Sequence, residues 1–159
     1  MKIKPRWIVA GVLALCISGA YLYDVVEANN YEYELVKVSS KKIVADGEST
    51  VRISVKLSKD DKPVEGHTIY IYASNGTLPS SRCVTDVDGM ITFKYYPYAY
   101  INDELTPLED VTIYLQDESN FTFFMVNAEA EFTFSVIKPE EKEEVRDWQE
   151  IELEGENEN

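Results

Sequence analysis

Very little of this sequence suits acid–base, thiol or metal chemistry. It has a single histidine, His67, and two cysteines, Cys16 and Cys83. A Cys/His zinc site needs more ligands than that, and a histidine-based triad would have to use His67, whose sequence neighbours offer no partner acid. Cys16 falls inside an apolar run, so Cys83 has no partner for an intramolecular disulfide in the rest of the chain. Positive charge is scarce as well. Fifteen Lys and Arg face 29 Asp and Glu, a net charge of −14, which argues against a nucleic-acid binder that neutralises phosphates. There is no GxxxxGK[ST] or GxGxxG loop and no internal repeat, so a nucleotide fold and a solenoid are set aside too. The sequence predicts no enzyme, no cofactor, no metal and no small-molecule substrate.

What the chain does have is apolar residue and pattern. Its 159 residues are 45% hydrophobic, enough to bury the core of one ordinary domain. Charge is unevenly placed: Lys2, Lys4 and Arg6 make the start basic, while residues 138–159 carry 3 bases and 10 acids. Between Trp7 and Tyr23 the chain reads WIVAGVLALCISGAYLY, without a charge. As a helix this run is about 25 Å long, against about 30 Å for a bilayer core. Trp7 at one end and Tyr21 and Tyr23 at the other stand where amphipathic rings favour the lipid–water boundary, and the basic flank marks the N-terminus as cytoplasmic. Residues 7–23 are therefore expected to lie in a lipid bilayer as a single-pass helix, with everything after Asp24 extracytoplasmic. Ser18-Gly19-Ala20 and, more weakly, Val26-Glu27-Ala28 offer small residues to a signal peptidase. A retained anchor ranks first and a cleaved signal second. A lipoprotein site at Cys16 ranks third, because Leu15 is bulky and the apolar run continues past the cysteine.

From Tyr31 onward the pattern changes to alternation. Val51, Ile53, Val55 and Leu57 point one way and Arg52, Ser54, Lys56 and Ser58 the other, as in a strand with one face on a core. The segments 68–72, 90–95, 111–115 and 131–136 follow, rich in β-branched and aromatic residues. Turn signals separate them at Asp46-Gly47, Asp60-Asp61-Lys62-Pro63, Asn75-Gly76, Asp88-Gly89 and Asn102-Asp103. Roughly seven short strands predict an all-β fold, a single immunoglobulin-like β-sandwich, preceded by the transmembrane helix and followed by an acidic tail.

Three pieces in order carry a resemblance. Ala45-Asp46-Gly47-Glu48-Ser49-Thr50 leads into the alternating strand, Lys62-Pro63-Val64-Glu65-Gly66 introduces the next, and Thr85-Asp86-Val87-Asp88-Gly89 the one after. This arrangement, over about Glu34 to Lys138, resembles the bacterial Ig-like domains of the invasin and intimin type (group 1). Carboxypeptidase regulatory-like and fibronectin-like sandwiches share the T-D-x-D-G turn and remain alternatives within the same fold class. The resemblance implies an extracytoplasmic rod or spacer domain and carries over no adhesive activity and no site residue. The expected organisation is an anchor or signal over 1–23, a linker over 24–33, the sandwich over 34–138 and an acidic tail over 139–159.

Candidate binding residues are few. Asp86-Val87-Asp88-Gly89 resembles half of a calcium loop but lacks the downstream ligands, so a hairpin turn is the simpler reading. Tyr95, Tyr96, Tyr98 and Tyr100 form a Tyr-rich exit from a strand into a long connection, and Tyr offers contact area at low side-chain entropy cost. Packing into the sandwich is the first expectation for these rings. Tyr96, Tyr98 and Tyr100 are nonetheless the best candidates for contact with a protein partner at the cell surface. The apolar run 121–126 reads as a buried strand. In the tail, Val145, Trp148 and Ile151 recur at helical spacing, with Trp148 as a candidate anchor.

Overall fold

The computed structural model describes residues 5–40, 42–119, 123–124 and 126–139. The acidic tail beyond 139, with Trp148, lies outside the described residues. Helix α1 spans Pro5–Asn29. Proline suits its first turn, where the missing N–H has no intrahelical partner anyway. The linker expected over 24–33 is instead the last turns of α1, a turn at Asn30 and the start of the first strand. The reason lies in spacing: Ala20, Asp24 and Ala28 recur every fourth residue on one face, and Asp24 and Ala28 are buried. Packing on the sandwich thus carries the helix past the end of the apolar run.

Among the described residues nine strands follow: β1 (Tyr31–Val38), β2 (Lys42–Val44), β3 (Val51–Lys59), β4 (Lys62–Pro63), β5 (Thr68–Ala73), β6 (Arg82–Val84), β7 (Met90–Tyr95), β8 (Val111–Asp117) and β9 (Glu129–Ile137). In one sheet β3 is central, with β1 on one side and β4 and β7 on the other, all antiparallel. The second sheet runs β2-β9-β8-β5-β6, with β2 parallel to β9 and the remaining pairs antiparallel. The chain therefore changes sheets between β1 and β2. Just before that change the β1–β3 register shifts between Leu35 and Lys37, the kind of irregularity that bends a strand.

The expected alternation places the core between the sheets. Val51, Ile53, Val55 and Leu57 of β3 meet Ile91, Phe93 and Tyr95 of β7 and, from the other sheet, Ile69, Ile71, Ile113, Leu115 and Phe134. Truncating a side chain as enclosed as Leu57 to Ala costs roughly 2–5 kcal/mol, through lost burial and the cavity left behind. Two turns are set by single side chains. The Asp46 carboxylate accepts from the Glu48 and Ser49 amides, and Asp86 Oδ1 accepts from those of Asp88 and Met90 at 2.9 Å each. Gly89 closes the second turn at φ +73, against the Leu57 carbonyl.

The run 121–126 differs from expectation. The β8–β9 ladder closes at Gln116↔Glu129, so the run lies in the connection between them; of its described residues, Phe123 and Phe124 are 66% and 45% exposed and Val126 is half-buried. Alternation is missing there, and an apolar run without it has no face to turn inward.

Register fixes two poles. At the proximal pole lie the end of α1, the β3–β4 turn, the start of β5 and the β8–β9 connection. At the distal pole lie the Asp46-Gly47 and Asn75-Gly76 turns, the connection 96–110 and the exit from β9.

Candidate functional site

At the distal pole the tyrosines leave β7 in three different settings. Tyr95 is fully buried, and burial pushes its hydroxyl pKa up to about 12, with the Tyr98 hydroxyl adding a smaller push. Tyr96 is half-buried and exchanges backbone bonds with Thr77 at 2.8 and 2.9 Å. Tyr98 packs against the core while its hydroxyl reaches the Pro107 and Glu109 carbonyls at 3.3 and 3.4 Å and accepts from the Glu109 amide at 3.1 Å. One phenol thereby ties both ends of the connection together.

Tyr100 is half-buried, and its amide donates to the Ala45 carbonyl at 2.8 Å. Its hydroxyl donates to Asp103 at 2.9 Å, and the Lys138 ammonium stands 4.8 Å from its ring centroid and 3.3 Å from Asp103. The Tyr100 hydrogen bond, then Lys138, holds the Asp103 carboxyl below its usual range. Asn102 caps the loop by accepting from the Glu104 and Leu105 amides. This ordered connection presents Ile101 and Leu105, 64% and 69% exposed, more openly than its tyrosines. Two apolar residues in an acidic loop are the signal by which the sequence marks them.

At the proximal pole the structure gives His67 a partner that local sequence could not show. His67 Nδ1 lies 2.7 Å from Asp117 Oδ2, and the fully buried Asp117 also accepts from the Ser119 amide at 2.8 Å. The imidazole faces the Tyr31 ring at 5.8 Å, and the Lys59 ammonium stands 4.9 Å from that same ring while pairing with Glu27. Tyr33 lies beneath, its hydroxyl pKa raised first by burial and then by the charges of Asp117 and Glu129. The arrangement orients an imidazole. The pair ties the entry of β5 to the end of β8.

The same pole holds the joint with the helix. Asp24 is fully buried, and its Oδ2 accepts from the Phe124 amide at 2.6 Å. Tyr21 meets Phe124 edge-on at 6.1 Å, and Tyr23 meets Phe123 at 6.4 Å. Among the described residues no group of three or more His, Cys, Asp or Glu side chains is arranged to hold a metal.

No family model and no curated protein matches the chain. Among solved structures it is similar to the D0-D1 domain of intimin, at 20% identity over 65% of this chain and 46% of that one, with a TM-score of 0.46. It is also similar to a C-terminal fragment of intimin in complex with the intimin-binding domain of the translocated intimin receptor, at 20% identity over 65% and 33%, TM-score 0.48. A conjugative transposon lipoprotein from Bacteroides eggerthii is similar at 19% identity over 66% and 96%, TM-score 0.42. The chain thus spans less than half the length of these intimin structures. Two sheets packed on one core, preceded by an apolar helix, make the chain a β-sandwich by its own strand pairing.

Proposed function

We propose that this chain is a membrane-anchored, extracytoplasmic Ig-like module, a structural or interaction subunit of a cell-surface assembly, and not an enzyme. In this reading α1 crosses the bilayer once, Lys2, Lys4 and Arg6 stay cytoplasmic, and residues 31–137, from β1 to β9, form the exported sandwich. One observation carries it. Helix α1 exposes Trp7, Val12, Leu13 and Leu15 by more than half, whereas the alternating apolar faces of β3, β7 and β8 are buried between the sheets. Such a surface is costly in water and at home in lipid. Retention rather than cleavage is favoured because Ser18–Ala20 and Val26–Ala28 both lie inside an unbroken helix, and Ala28 is buried.

The distal connection is the proposed contact for a protein partner, with Tyr96 and Tyr100 beside Ile101 and Leu105. Aromatic and large apolar groups supply contact energy that the hydrated strand faces do not.

Protease added to intact cells, or to spheroplasts, should remove the sandwich while cytoplasmic markers survive, and the mass of the untreated chain should include residues 1–23. A protected sandwich would reverse the orientation. A mature chain beginning after residue 20 would make the protein a released binder instead.

A further inference from the structure

We infer that Phe123 and Phe124, with Tyr21 and Tyr23 of α1, form an aromatic collar seated in the headgroup boundary of the leaflet on the sandwich side. The inference rests on the anchored reading above and adds a second membrane contact, made by the domain itself. Phe123 and Phe124 come from the connection between β8 and β9, yet they stand edge-on against the two tyrosines that end the uncharged run. Phe123 is 66% exposed and Phe124 45%, so their rings enlarge the apolar surface of the helix instead of filling the core.

The burial of Asp24 makes the surface continuous. Read as sequence, the uncharged run stops at Tyr23, about 25 Å from its start. In the fold the Asp24 carboxylate is turned into the protein and bonded to the Phe124 amide, while Leu22 and Val26 on the outside are 62% and 61% exposed. The outward surface of α1 is therefore free of charge from Trp7 to Val26, so no charge faces lipid at the level of the collar or in the turn beyond it. The next charge, Glu27, is paired with Lys59. The loop that shields Asp24 is the loop that carries the two Phe rings, at the height where aromatic side chains favour the interface. A lipid boundary fits this surface because the surface is an unbroken extension of one already facing lipid. Anchors of this kind set the tilt of a spanning helix, and here they also fix the height of the sandwich above the membrane.

The test uses the full chain in phosphatidylcholine vesicles whose acyl chains carry bromine either near the glycerol end or near the chain terminus. Trp148→Phe leaves Trp7 as the only indole and reports anchoring. Trp7→Phe with Trp148→Phe and Phe123→Trp places one indole in the collar, and Phe124→Trp in the same background is the companion, each checked by a circular-dichroism melt. The expected result is loss of collar emission with the shallow bromines, little loss with the deep ones, and poor quenching by aqueous iodide. If the Trp7 indole is quenched by brominated lipid while the collar indole answers only to iodide, the collar is wrong and the anchor stands. If neither is quenched by lipid, the anchored reading fails and the collar with it.

Discussion

The Asp24 carboxylate and the Phe124 amide, 100 positions apart in the chain, are joined at 2.6 Å, and this bond ties the helix to the connection between two strands. Asp24 is fully buried, and removing its carboxylate takes away the acceptor of the part-buried Phe124 N–H. Asp24→Ala should cost about 1–3 kcal/mol, and Asp24→Asn less, because an amide oxygen still accepts. Hydrogen exchange in detergent should show the Phe124 amide losing protection in Asp24→Ala. Unchanged exchange would mean the bond holds nothing.

A comparable effect is expected at the other buried carboxylate. Asp117 serves both His67 and the Ser119 amide. Asp117→Ala should destabilise the sandwich by about 3 kcal/mol in urea unfolding, near the upper end for a buried group that leaves partners unpaired. A loss below about 0.5 kcal/mol, the scale of an ordinary surface change, would show that the pair is not holding β5 to β8.

Tyr95 predicts an alkaline limit. Burial raises its folded pKa from 10.0 to about 12, so the folded state keeps a proton that the unfolded state releases. Its contribution is complete below pH 10.0 and is lost as pH climbs through about 12. Tyr95→Phe should therefore flatten the fall in thermal midpoint over that window. Superimposable alkaline profiles for wild type and variant would place the phenol in water.

Gly89 is expected to be intolerant. At φ +73 a Cβ would press on the Leu57 carbonyl, which is backbone and cannot swing away. Gly89→Ala should cost well over the roughly 0.4–1 kcal/mol scale of harmless Gly→Ala changes, and in the destabilising direction. Val87→Ala in the same turn is 67% exposed in the native protein and should leave the melt almost unmoved. Equal melts for the two variants would mean the turn relaxes freely.

Much of the fold was legible because β3, β5, β7, β8 and β9 are long enough for a period of two to declare itself. Strands β2 and β6, three residues each, and β4, with two, are too short to show a period; tertiary pairing alone makes them strands. The 24–33 segment reads as a linker because Asp24 and Glu27 look like the end of an apolar helix, and only the docked sandwich shows that both are paired. His67 and Asp117 are 50 positions apart, so their meeting is a product of β5–β8 register and leaves no local trace. Tyr98 was legible as important but not in kind: its hydroxyl is committed to the loop's own backbone.

The placement of β2 has a mechanical consequence. It runs parallel to β9 through Lys42↔Ser135, Ile43↔Val136 and Val44↔Ile137, and the Ala45 amide adds a bond to the Ile137 carbonyl at 3.0 Å. A pull between the helix and the exit from β9 drags these two strands in opposite directions along their length. The cross-strand bonds then bear the force together, in shear, rather than opening one after another as in an unzipped hairpin. A short pairing that adds little to equilibrium stability thus becomes the clasp that resists stretching, and a tether under tension would yield there first.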